Sequence, residues 1–157
     1  MAARSGDQVT DDEIRERIAV LAGVALFAGF SAEELRTLAT MFVATTRAKG
    51  ETICREGEEG QTFFIVCDGE LEVWQGTETP RLVHRLGPGE FAGEMTLLLG
   101  GTRTATVRVG RRATLLELDK ASFDRVFSHN AKALENLSRV LCKRLVATTR
   151  GEIAARS

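Results

Sequence analysis

Between about Val43 and Asp119 the apolar residues come in short runs rich in Val, Thr, Ile and Phe, and glycines at 50, 57, 60, 69, 76, 87, 89 and 110 separate one run from the next. That pattern excludes long helices from this part of the chain. An interior glycine costs a helix about 1 kcal/mol relative to alanine, whereas β-branched and aromatic side chains suit a half-buried pleated surface. "TFFIVCDGELEVW" predicts two strands joined at Asp68-Gly69, a dipeptide suited to tight turns that need positive φ. "RLVHRL", "TRTATVRV" and "ATLLELD" predict more strands. So many short strands favour a small antiparallel barrel or jelly roll over a parallel sheet.

Helical periodicity brackets this region. Ile14, Ile18 and Leu21 recur behind the acidic turn Asp11-Asp12-Glu13, which suits the positive end of a helix dipole. In "FSAEELRTLATMF", Ser31 is the predicted N-cap, Glu34 completes a capping box, and Leu35, Leu38 and Phe42 form the apolar stripe. "VALFAGF" between them predicts a packed turn. After Asp119, "KASFDRVFS" predicts a short helix, and residues 131–150 a long one with a seam of Leu134, Leu137, Leu141, Leu145 and Thr148. The expected fold is therefore α+β: a jelly-roll barrel flanked by N-terminal helices over 11–42 and a C-terminal helix pair over 120–150. All of 1–157 is read as one domain, with the barrel at 43–119.

One segment of the barrel breaks the strand pattern. "GEFAGEMTLLLGGTRTATVRV" is mostly apolar or small, yet it carries a carboxylate, Glu94, and a guanidinium, Arg103. "EMTLLLGG" is long enough for one or two helical turns, started at Gly93 and stopped by Gly100-Gly101. Backbone N–H groups over Gly93, Glu94, Met95 and Thr96 would then face outward and attract an anion. Arg103 opens the following strand, where its planar fork suits two phosphate oxygens and the N–H groups of Thr104 and Ala105 add donors. Glu94 is an acceptor only, so beside a phosphate its place is to take a hydrogen bond from a ligand hydroxyl such as a ribose presents. A second arrangement stays open on spacing alone: Glu94 and Arg103 pair with each other across the insertion.

Along 21–150 the order of these segments resembles the cyclic nucleotide-binding domain family. "LFAGFSAEELRTLA" is similar to the family's N-terminal helices, "KGETICREGEEGQTFFIVCDGELEVW" to its first strands, and "GEFAGEMTLLLGGTRTATV" to its phosphate-binding cassette over 89–105. The resemblance implies that Glu94 accepts from the ribose 2′-hydroxyl and that Arg103 pairs with the cyclic phosphate. Backbone donors from Gly93 to Thr96 and at Thr104 and Ala105 would complete the cradle. The chain departs from the family pattern twice. Ala92 stands where an aromatic is frequent, with Phe91 as a candidate to compensate, and Thr102 replaces a frequent proline. On the identity of the base two likenesses conflict. Thr104 resembles the threonine of cyclic-GMP-dependent kinases and nucleotide-gated channels, whereas "NAKALENLSRVLCKRLVATT" resembles the last helix of the catabolite activator branch, with Thr148-Thr149 at its adenine-contacting hydroxyl pair. The expected ligand is cyclic AMP, with cyclic GMP the alternative.

Little else in the chain points to chemistry. No paired acid and base, nucleophile or metal-binding cluster is visible, so the expectation is a regulatory binding module without cofactor or metal rather than an enzyme. His84 and His129 stand alone and are read as solvated or packed. Trp74 is expected to pack on a strand face, and "RRAT" at 111–114 to form a structural turn. Cys54, Cys67 and Cys142 form no CxxC pair or disulfide framework, which favours a reducing, cytoplasmic setting with inert thiols. A formal net charge of −1 offers no field for nucleic acid, and no apolar run approaches the roughly 20 residues of a membrane span. The expected partners are a cyclic nucleotide and, through the last helix, a second copy of the chain or an effector protein. Without a helix-turn-helix the chain alone is not expected to bind DNA, and the output (regulator, channel or kinase) is left open.

Overall fold

The computed structural model describes residues 9–94 and 100–149, with side chains up to 143. Helix α1 (Asp11–Ala22) begins at a capping box. The Thr10 hydroxyl accepts from Glu13 N, and the Glu13 carboxylate accepts from Thr10 N. A 3₁₀ turn (Ala25–Phe27) follows, then α2 (Ala32–Ala39), which starts at the expected box of Ser31 and Glu34. The strands are β1 (Val43–Arg47), β2 (Thr52–Cys54), β3 (Thr62–Gln75), β4 (Arg81–Leu86), β5 (Phe91–Ala92) and β6 (Thr106–Asp119). Helices α3 (Lys120–Ser128) and α4 (Ala131–Thr149) close the described chain. None of the described helices is long and apolar enough to cross a membrane.

All strand pairs are antiparallel, in the order β1-β6-β3-β4, with β2 added to β6 and β5 to β3. The jelly-roll class holds, but the sheet is open, ending at β1 and β4, and is not a closed barrel. Asp68-Gly69 is not the hairpin expected. Residues 62–75 form one 14-residue strand, and the ladder to β6 shifts register around Asp68 and Glu70 instead of turning back. Gly69 has φ 86°, and a Cβ there would stand 2.1 Å from the Arg112 carbonyl oxygen, so the glycine serves a close crossing of two backbones. From Thr106 on, "TRTATVRV" runs unbroken into "ATLLELD" as the 14 residues of β6, so Arg103 precedes the strand that it was expected to open. "RRAT" is therefore continuous strand and not a turn, with Arg111 opposite Glu70 and Ala113 opposite Arg47.

Alternation along β3 and β6 builds two cores. Phe63, Ile65, Leu116 and Leu118 face the helices, while Phe64, Val66, Ala113 and Leu115 face inward between the sheet layers. In the helical layer the Phe123 ring lies 5.5 Å from Phe63 and 4.5 Å from Phe127, centroid to centroid. Two buried polar side chains fasten that layer. Arg17 donates to the Ala39 and Phe42 carbonyls at 3.1 and 2.8 Å, and Asn136 donates to those of Leu26 and Ala28 at 3.1 and 2.8 Å. The root of α4 is thus fixed on the 3₁₀ turn. Lys132 adds a 2.7 Å contact to Glu34. The leucine seam divides: Leu137 is buried against the N-terminal helices, Leu134 is 51% exposed, and Leu145 and Thr148 have side chains outside the described part.

Candidate functional site

The site starts where β5 ends. Ala92 pairs with Phe64 of β3 and is fully buried, so the chain leaves the sheet beside the first residues of β3. Gly93 then takes φ 101°. A Cβ at this position would stand 2.4 Å from the Thr62 carbonyl oxygen and 3.0 Å from Arg103 Nη1, so only glycine lets the segment pass so close to strand and arginine. Glu94 follows as the first helical residue and is completely buried. Met95 and Thr96, expected to donate from their backbones, lie outside the described residues.

Arg103 comes to the same place from the other side. Its backbone N–H donates to the Glu58 carbonyl at 2.7 Å, its own carbonyl accepts from Gly57 N at 2.9 Å, and Thr102 bridges to Glu59. The β2–β3 connection therefore holds the arginine by its main chain and leaves the side chain to turn inward. There the guanidinium donates from Nη2 to the Thr62 carbonyl at 2.8 Å and sits 5.9 Å from the Phe64 ring centroid, with only 4% of the residue exposed. Burial pulls its pKa below the ordinary arginine value, partly offset by the Cys54 thiol nearby. A cation taken out of water in this way is stabilised by an anion brought to it. The Thr62 carbonyl sits beneath both Gly93 and Arg103, so one strand end sets the spacing of the two halves of the cassette.

Arg103 forms one wall of a cleft of about 560 Å³, together with Ile53, Cys54, Thr62 and Phe64. Two more of its lining residues, Arg47 and Glu117, were not anticipated from the sequence. Arg47 on β1 donates to Glu117 of β6 at 2.7 Å and to Glu51 at 2.9 Å, and the Thr45 hydroxyl donates to Glu117 as well. Desolvation acts to lower the Arg47 pKa, but the hydrogen bonds and charges of Glu117 and Glu51 outweigh it, and the net shift is upward. Thr45, Arg47 and Glu117 face inward because they pair with the inner-core residues Leu115, Ala113 and Phe64, which only the register reveals.

The other expected site residues divide. Ala105 is fully buried in the inner core, while Thr104 is exposed and its carbonyl accepts from Gln75 at 3.4 Å. Thr148 and Thr149 end α4, with side chains outside the described part. Phe91 does not compensate for Ala92. It faces the helical layer, 5.7 Å from Phe63, whereas Ala92 faces the inner core. Trp74 packs as expected, on the outer face, with the Arg108 guanidinium 5.0 Å above its ring.

Residues 45–130 match the family profile described as the cyclic nucleotide-binding domain. The chain is 36% identical to a cyclic nucleotide-gated potassium channel of Mesorhizobium japonicum, over 74% of this chain and 31% of the channel. It is 32% identical to cGMP-dependent protein kinase 2 of Mus musculus, over 74% of this chain and 16% of the kinase. It thus spans less than a third of either relative. Among solved structures, the catabolite activator protein of Thermus thermophilus superposes with a TM-score of 0.76 at 27% identity, covering 81% of this chain and 61% of that one.

Proposed function

The chain belongs to the cyclic nucleotide-binding domain family, and from that membership we propose that it is a regulatory module, not an enzyme, that binds cyclic AMP and passes occupancy on through α4. The observation that carries this reading is the buried Arg103 guanidinium, hydrogen-bonded to the Thr62 carbonyl beside Gly93 and the buried Glu94. Arg103 takes the cyclic phosphate, and Glu94 accepts from the ribose 2′-hydroxyl. Gly93, Met95 and Thr96 on one side, with Thr104 and Ala105 on the other, offer backbone donors. Thr148 and Thr149 close over the base. The preference for cyclic AMP is supported by the likeness of the last helix to that of the catabolite activator branch.

A cyclic-GMP-selective sensor is the alternative, favoured by Thr104 and by the kinase named for cyclic GMP among the relatives. Calorimetric titration of nucleotide-free protein with both nucleotides decides. Binding of both, cyclic AMP more tightly, is the expected result. No heat with either overturns the assignment of the cleft, and tighter cyclic GMP overturns the preference.

For the output, α4 is anchored at Asn136 while Leu134 is half exposed, so the helix offers an apolar contact to a second copy or to an effector protein. The relatives carry this span within longer channel and kinase chains. Hydrogen exchange over 134–149 should fall when nucleotide binds. Equal protection with and without nucleotide would remove α4 as the route of the signal.

A further inference from the structure

We propose that the free edge of β1, together with the groove between that edge and α1, is a docking site for an extended segment of a partner protein. The segment adds a strand to the sheet, seats an aliphatic side chain in the groove and turns a lysine or arginine toward Glu13 and Glu16. Among the described residues β1 has β6 along one side and no strand along the other. A sheet edge is a template for pairing with another chain, and proteins blunt such edges with charges, proline or bulges. The opposite edge is blunted in all three ways. Pro80 precedes β4, Arg81 and Arg85 are exposed on it, and its ladder shifts where Val73 pairs with His84 but Trp74 with Leu82, which makes Val83 the extra residue. β1 is different. Val43, Ala44, Thr45 and Thr46 carry no charge, their register with β6 is unbroken, and Arg47 is drawn inward to Glu117. Val43 is 43% exposed.

The groove adds selectivity to the edge. It has a volume of about 260 Å³, with Ala44, Leu116 and Cys67 as an apolar floor and Glu13, Glu16 and Val20 of α1 as the wall. Thr45 and Thr46 line it as well. Successive side chains of a strand point to opposite faces, so a groove that meets three residues in a row reaches the main chain of β1. Its wall is fixed in advance, because Arg17 of α1 donates to the carbonyl of Phe42, directly before β1, at 2.8 Å. A preformed groove lowers the cost of ordering on binding.

The size and charge of the groove define the occupant. Pockets for whole small molecules run to roughly 300–1,000 Å³, so this smaller one suits one or two side chains of a peptide. Burial pushes the Cys67 thiol up to about 11, which leaves the floor uncharged at neutral pH. The wall is acidic, with Glu16 exposed and Asp11 and Asp12 beside Glu13 in the first turn of α1. Residues two apart on a strand share a face, roughly 6.6–6.8 Å from each other. The basic residue of the segment therefore stands two positions from the aliphatic one. Main-chain hydrogen bonds along an added strand supply affinity, and the side chains that alternate into pockets supply specificity.

Selection of random 12-residue displayed peptides on the full 157-residue protein tests this. Enriched peptides should lack proline and carry Lys or Arg two positions from Val, Ile or Leu. The most enriched, made synthetically with a fluorescent label, is the probe for anisotropy titrations. Glu16→Lys should weaken it about three- to tenfold, the scale of one exposed ion pair lost and reversed. Thr46→Lys, which blunts the edge with a charge, should abolish binding. Circular dichroism of both variants should match the wild type, and either variant binding the probe as tightly as wild type overturns the proposal. Amide hydrogen exchange over 43–47 should slow when the probe is added and stay unchanged over 81–86. Protection confined to another part of the chain, or no enriched peptide at all, overturns it too. Protection of 43–47 that rises with protein concentration in the absence of peptide would make a second copy of the chain the occupant and refute the partner segment.

Discussion

Gly93→Ala tests whether the cassette depends on one strand end for its geometry. Two costs add at this residue. The first is conformational: φ is 101°, and holding an L-residue in so sparsely populated a region costs about 1–3 kcal/mol. The second is contact. The added Cβ would stand 2.4 Å from the Thr62 carbonyl oxygen and 3.2 Å from Phe63 Cα, both main-chain atoms held in the β3–β6 ladder. Relief requires one segment to move, at the roughly 1–3 kcal/mol typical of overpacking. Together they predict a loss of about 2–6 kcal/mol, which a domain of ordinary stability survives only in part. Gly50→Ala isolates the first cost, because Gly50 has φ 88° and nothing within 4 Å of the new Cβ. Urea denaturation of both variants and the wild type gives the difference. Gly93→Ala should exceed Gly50→Ala by at least about 1 kcal/mol. Where it stays folded it should also bind nucleotide more weakly, because the displaced carbonyl is the one that holds Arg103 Nη2. Equal destabilisation by the two variants, with nucleotide affinity intact in both, would show that the segment relaxes freely and that the close approach has no role in the site.

Arg103→Lys keeps the charge and loses the planar fork, so cyclic nucleotide affinity measured by calorimetry should fall by about 2–4 kcal/mol in a folded variant. A 2′-deoxy analogue should bind more weakly than its parent in the wild type, because the Glu94 carboxylate then lacks its hydroxyl; equal affinity would count against that role. Phe123→Ala should cost about 3–5 kcal/mol in urea denaturation, since its ring packs on both Phe63 and Phe127. The Glu34 carboxyl is held at about 2, first by the hydrogen bond from Lys132 and then by Ser31 N. A carboxyl depressed on folding stabilises the protein above its unfolded pKa and loses that contribution as pH falls toward the folded value. The difference in melting temperature between wild type and Glu34→Gln should accordingly be full at pH 6 and shrink as pH falls from about 4.5 to about 2, and a difference independent of pH would refute the assignment.

What could be read in advance was local. Ser31 and Glu34 form their capping box within three residues, so the start of α2 needs no tertiary information. Glu94 and Arg103 stood out as charges within a mostly apolar stretch, and the structure buries both. The misread features depend on a partner strand. Asp68-Gly69 has the chemistry of a hairpin turn, yet β6 runs beside it without interruption and the glycine passes the Arg112 carbonyl. Arg47 and Glu117 lie 70 residues apart in the chain, and only the pairing of β1 with β6 brings them together at 2.7 Å. His84 shows the same limit most sharply, because simple alternation across Leu82, Val83 and His84 puts the first and third on one face. Leu82 pairs with Trp74, whose ring lies outside under Arg108, so alternation alone would place His84 outside as well. One extra residue at Val83 reverses the assignment and turns the imidazole inward. Nothing in "RLVHRL" marks which residue the ladder will skip: residues 71–75 of β3 face residues 81–86 of β4, five against six, and only the pairing shows which one is extra.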